Sequence, residues 1–278
     1  MYYKHVSRKE LQVPISPEKS PVVLVVHGVQ LGDDSSLTQD EVIRKSIQSR
    51  LNKLDFEFGV DLYKYENISD TSLKKLKNLS NVLFATGIGA ILAQPIIDLV
   101  GDVTISLSNA STANQIRKGL RNKIMSYYEA GVPLYIVAHS LGSVYAFDVI
   151  NELIETDGLF DRDDPLTWPV QGLLTIGSPL GLSMFKKTGR NIAASLGRGQ
   201  FSFKWLNYFD VSDPVVSGSI FGKKLRGHKI AEKYQKDTLN FGWFIKDFPV
   251  DTGKNWLFAH TAYWDSAAVG DGLLDMMV

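Results

Sequence analysis

The chain contains no cysteine in 278 residues. This excludes a disulfide framework, CxxC zinc sites and thiolate catalysis, but it does not fix the redox compartment. An excess of charge is missing too, since 30 Lys and Arg stand against 30 Asp and Glu. Without a basic surplus, no nucleic-acid partner is expected. Residues 82–97 carry no charged side chain, yet a bilayer span needs about 20 apolar residues. Gly87, Gly89 and Pro95 weaken a spanning helix further. A buried helix or helical hairpin is expected there, with a lid or acyl-binding wall, or shallow membrane contact, as the alternatives. The first twenty residues hold Lys4, Arg8, Lys9, Glu10, Pro14 and Pro17 and no apolar run, so no secretory signal is expected and cytoplasm is the expected location. Neither G-x-x-x-x-G-K-[ST] nor H-E-x-x-H occurs, which removes the usual signatures of a P-loop and of a helical zinc site.

What is present is an alternation. Residues 22–26, 132–138, 173–176 and 201–209 have the β-branched and aromatic content of buried strands, 60–65 is a fifth candidate, and a last strand is expected near 238–244. Helical patterns fall between them at 39–54, after Thr38 as N-cap, at 114–129, ending at Gly131, and at 143–150. Strands alternating with helices predict an α/β fold with a mostly parallel sheet covered on both faces. In such folds ligands bind outside the carboxyl ends of the strands.

Chemistry is concentrated at those ends. The strand leading to Ala138 runs into His139-Ser140-Leu141-Gly142 and then into a helix. A serine at a sharp strand-to-helix corner needs small residues two before and two after it, and Ala138 and Gly142 supply them. The bland alternative is a strand end with a helix-capping serine. Upstream, the first strand ends in His27-Gly28-Val29, a glycine turn that could bring the Val29 N–H beside that of Leu141 as a pair of oxyanion donors. His27 reads as structural, bonding loop backbone. Downstream, Asp210 and Asp213 compete as the carboxylate that orients a histidine. Asp213 is favoured because Pro214 stiffens the turn behind it. Of the two histidines that follow, His260 is favoured over His228, whose neighbours Lys223, Lys224, Arg226 and Lys229 would lower its basicity. Ser140, Asp213 and His260 then follow one another at separations of 73 and 47 residues, the Ser, Asp, His order of one hydrolase architecture.

From about Pro21 to the C-terminus, through His27-Gly28, Ala138-His-Ser-Leu-Gly142, Gly177-Ser-Pro179, Asp213-Pro-Val215 and His260, the chain resembles the α/β-hydrolase superfamily, and more narrowly its lipase- and esterase-like serine hydrolases. It departs from the pattern in Ala138, which replaces the first elbow glycine, and in a plain His-Gly turn. The resemblance implies acyl transfer to water through a covalent intermediate on Ser140, without a cofactor or metal, on a small-molecule ester or acyl substrate. A thioesterase, amidase or acyltransferase would share the same three residues, and a non-catalytic binding module would share the fold. One domain spanning 1–278 is expected, with lid or pocket-forming segments at 82–100, 180–200 and 217–237; the oligomeric state is left open.

Overall fold

The computed structural model describes residues 18–28, 57–64, 111–154, 159–160, 168–182, 203–217, 229–234, 244–255 and 259–277. Among the described residues six strands form one sheet: β1 (Val22–Val26), β2 (Gly59–Tyr63), β3 (Leu134–His139), β4 (Gly172–Ile176), β5 (Lys204–Phe209) and β6 (Phe244–Pro249). All pairings are parallel, in the order β2-β1-β3-β4-β5-β6. The helices are α1 (Ser111–Glu129), α2 (Leu141–Glu152), the short α3 (Pro214–Ser217) and α4 (Ile230–Tyr234), and α5 (Ala267–Met277).

Strands buried on both faces need apolar side chains at every position, and β1 shows why its five residues read as a continuous run. Leu24 and Val26 pack with α1 and α2 on one face, while Val23 and Val25 join the cluster under α5 on the other. Helix α1 buries Ile116, Leu120, Ile124 and Tyr128, four residues apart, as one stripe against the sheet. It closes at Gly131, whose φ of 66° lets its N–H and that of Val132 bond back to Tyr128 and Tyr127. Helix α2 buries nine of its residues, from Leu141 to Phe147 and Val149 and Ile150, and keeps Asp148, Asn151 and Glu152 on its less buried side. Six parallel strands with helices on both faces make an α/β fold, the architecture that the hydrolase resemblance implies.

One row of side chains crosses β4, β5 and β6. Trp205 Nε1–H donates to Thr175 Oγ1 (2.9 Å), the Thr175 hydroxyl donates to Asn207 Oδ1 (2.9 Å), and Asn207 Nδ2–H donates to Asp247 Oδ1 (2.8 Å). Asp247 also accepts the N–H groups of Ile230 and Ala231 at the start of α4. Thr175, Asn207 and Asp247 are register partners, so this chain follows the sheet's own hydrogen-bonding direction.

The last described strand, Phe244–Pro249, begins where the expected 238–244 ends and pairs Lys204 with Phe244 and Tyr208 with Phe248, while residues 238–243 lie outside the described residues. In it Lys246 lies over the Phe244 ring at 4.9 Å and Asp247 caps α4. The helix expected at 39–54, the run at 82–97 and the rest of 82–100 lie outside the described residues, as do most of 180–200 and 217–237. Among the described residues no helix is long and apolar enough to cross a membrane.

Candidate active site

The chain leaves β1 for β2 on one side and reaches β3 on the other, so the sheet changes direction of growth between β1 and β3. Parallel strands deliver all their carboxyl ends to one edge, and the gap at such a switch point is where α/β sheets bind ligands. His27-Gly28 leaves β1 there, beside Ser140 leaving β3, with Val26 and Ala138 in register.

Ser140 has φ 53° and ψ −130°, the one positive φ among the described non-glycine residues. A side chain in this region costs of order 1 to 3 kcal/mol and persists only where the surroundings enforce it. The enforcement is visible. Ser140 N–H donates to Ile176 O (3.1 Å), tying the corner to β4, and the Ser140 carbonyl accepts the Ser143 N–H at 3.0 Å. That carbonyl also accepts the Ser143 hydroxyl (2.5 Å), which is backed by the Ser178 hydroxyl (2.6 Å), itself accepting the Leu180 N–H. The Ser140 hydroxyl makes no capping bond to α2, which removes the bland alternative. Leu141 opens α2, where a helix's first N–H groups have no intrahelical acceptor.

Two glycines make the corner fit. A Cβ on Gly142 would lie 2.3 Å from Val26 O and 2.5 Å from His27 O, and one on Gly28 would lie 2.7 Å from Ser140 Cβ. Ala138, in contrast, sits fully buried in the core under α2, where a methyl group is accommodated.

His260 stands between Ser140 and Asp213. Its Nε2 is 2.8 Å from Ser140 Oγ and its Nδ1 2.8 Å from Asp213 Oδ2. A carboxylate only accepts, so Nδ1 carries the ring proton and Nε2 is left to accept the serine's. Asp213 is fully buried at the start of α3, where its Oδ1 caps the helix through the Val215 N–H (2.9 Å) and Pro214 takes the first helical position. The capping bond fixes one oxygen and aims the other at His260. The arrangement can move a proton from a hydroxyl to an imidazole whose developing charge faces a carboxylate.

No protein-family model matches the chain, and no curated protein matches it. Among solved structures it is similar to TT1662 from Thermus thermophilus, with 14% identity, a TM-score of 0.46, and 95% of this chain and 90% of that one covered. It is also similar to a candidate hydrolase of the α/β superfamily from Xanthomonas campestris pv. campestris, at 10% identity and a TM-score of 0.38, with 92% and 99% covered.

The remaining sequence candidates divide clearly. Asp210 lies apart from His260: its carboxylate accepts the N–H groups of Ser212 and Thr252 and the Thr252 hydroxyl, serving the turn. His27 donates from Nδ1 to the Gly28 carbonyl (2.6 Å), a bond within its own turn. Val29 and His228 lie outside the described residues. His139 does more than its place in the turn suggested. Its Nε2–H donates to the His260 carbonyl (2.7 Å) with the two rings 4.7 Å apart, and burial, reinforced by His260, holds it well below the ordinary histidine range and so neutral.

Three contributors escaped the sequence. Gly177, at φ 56°, lets the turn after β4 lie against the His260–Asp213 pair, since a Cβ there would come 3.1 Å from both Asp213 Oδ2 and His260 Nδ1. The Ser143–Ser178 pair braces the corner from behind. Tyr263, fully buried three residues after His260, donates to Asp213 Oδ2 at 2.8 Å. Gly177 and Ser178 belong to the Gly177-Ser-Pro179 motif, but only the fold brings Gly177 to residues 213 and 260 and Ser178 to residue 143.

Proposed function

We propose that this chain is a serine hydrolase that cleaves carboxylic esters through an acyl-enzyme on Ser140. The reading is carried by one observation: the unbroken bond chain from Asp213 through His260 to Ser140 Oγ, both links at 2.8 Å, ending on a serine held at a strained corner. His260 Nε2 takes the hydroxyl proton as Oγ attacks the acyl carbon, and Asp213 stabilises the imidazolium without itself becoming protonated. The oxyanion is received by the N–H of Leu141 and, by sequence order, by that of Val29. The alcohol leaves with the proton from Nε2, and water then repeats the sequence on the acyl-enzyme, returning Ser140 and releasing the acid. His139, holding the His260 carbonyl, keeps the base on station through both halves.

Treatment with a fluorophosphonate should place one adduct on Ser140, located by peptide mass spectrometry, and a short chromogenic ester should be turned over with the same inhibitor sensitivity. Failure to label a folded sample would remove the esterase reading in favour of a binding module. Parallel assays on a thioester and an anilide of the same acyl group separate esterase from thioesterase and amidase.

Gly28 offers an independent check. Adding a methyl group there presses on Ser140 Cβ and reaches within 3.1 Å of Oγ. Gly28→Ala should slow labelling and turnover by roughly tenfold to a hundredfold, because displacements on the ångström scale at a reacting atom carry penalties of that size. Equal rates in wild type and variant would mean that the β1 turn does not flank the nucleophile.

A further inference from the structure

Asp213 Oδ2 accepts two hydrogen bonds, from His260 Nδ1 and from the Tyr263 hydroxyl, each at 2.8 Å. The phenol oxygen in turn accepts the Asp210 N–H at 2.8 Å, which makes the hydroxyl a stronger donor. Tyr263 has no room to turn away, since its ring is fully buried and its Cε2 packs against Gly177. Burial and the adjacent Asp213 hold its phenol well above the ordinary tyrosine range, so the proton stays on the oxygen wherever the histidine titrates. Reaching Asp213 from the turn that carries His260, Tyr263 fastens the base's own loop to the carboxylate the base depends on.

We infer that Tyr263 is a positioning residue that sets both the aim and the proton affinity of His260 by sharing Asp213 Oδ2 with it. The inference rests on the hydrolase reading for its rate consequences, while its titration consequence is independent of that reading. A carboxylate oxygen that already accepts a phenol proton offers less negative charge to an imidazolium. Tyr263 therefore favours the neutral, proton-accepting form of His260 down to lower pH. The other groups facing His260 do not compete for this role: Ser140 is uncharged, and His139, reaching across from β3, stays neutral. Asp210 bonds Tyr263 through its backbone N–H and directs its carboxylate to Thr252 and Ser212, its charge adding to the rise of the phenol.

The experiment follows the His260 imidazole by two-dimensional ¹H–¹⁵N NMR across pH in the full chain, with the pH profile of short-ester turnover measured beside it. In Tyr263→Phe the imidazole should take up its proton at a pH higher by about half a unit, and the acid limb of the profile should move with it. Turnover should fall roughly tenfold with KM unchanged, because the lost bond aims the base and does not touch substrate. Site-specific 3-fluorotyrosine at 263, a more acidic phenol of nearly the same volume, should move the imidazole midpoint the opposite way. It also keeps the test open if Tyr263→Phe does not fold. Unchanged midpoints in both variants, or shifts in the same direction, would overturn the inference. A wild type that titrates and responds as described but turns over no ester would leave the link to His260 standing and remove the hydrolase reading instead.

Discussion

Ser140→Gly and Ser140→Ala should both lose ester turnover by about 10⁴-fold or more, yet the glycine variant should be the more stable of the two. Both remove the hydroxyl and its bond to His260 Nε2, so that loss cancels in the comparison. What remains is the Cβ. At an ordinary position alanine is favoured over glycine, because glycine loses more backbone freedom on folding. At φ 53° the preference reverses, since only glycine occupies that region without steric cost. The glycine variant should exceed the alanine variant by about 1 kcal/mol in denaturant unfolding, the strain relieved less the entropy added. An alanine variant as stable as the glycine one would mean that the corner stores no strain and that the positive φ at 140 is relaxed in solution.

Gly142→Ala should be the most damaging single methyl group in the site. Its Cβ would meet main-chain oxygens of Val26 and His27 at 2.3 and 2.5 Å, and backbone at the end of a central strand cannot step aside as a side chain can. Overpacking of this kind costs about 3 kcal/mol when the neighbours are rigid. The same clash presses β1 away from α2 beside Ser140, so labelling of Ser140 should vanish even in whatever fraction remains folded. The midpoint of urea unfolding and the fluorophosphonate rate measure the two effects separately. A variant with wild-type midpoint would show that the corner has slack, and the requirement for a small residue at 142 would then need another cause.

The asymmetry between positions 138 and 142 also shows what the sequence conveyed and what it did not. Small residues on both sides of Ser140 were readable as the mark of a tight corner, but why alanine suffices on one side became visible only with β1 in place. The apolar runs of β1, β3, β4 and β5 were readable because strands buried on two faces are mostly apolar, with Thr175 and Asn207 as buried exceptions. β6 was less plain, because Lys246 and Asp247 interrupt its apolar pattern. Asp213 and His260 could be chosen over Asp210 and His228 from local cues, a following proline and a cationic neighbourhood. Tyr263, Gly177 and the Ser143–Ser178 pair offered no such cue. Their roles are contacts made across 35 or more residues of chain, and single tyrosines, glycines and serines look alike until the fold brings them together.

The polar row through Thr175, Asn207 and Asp247 has a consequence for the depth at which the site is assembled. In a parallel sheet of apolar strands, sliding one strand by two residues keeps its faces correctly turned and costs little in pattern, so hydrophobicity alone sets register loosely. A buried hydroxyl and amide, linked to each other and to the half-buried Asp247 carboxylate, make such a slide expensive, because each would lose its partner across the sheet. Asp213 lies just beyond the strand that Asn207 anchors, and each residue of slippage would carry it about 3.3 Å along the sheet. That distance exceeds the whole length of its bond to His260. The row thus works as a vernier, calibrating near the middle of the sheet an alignment that is used at its edge.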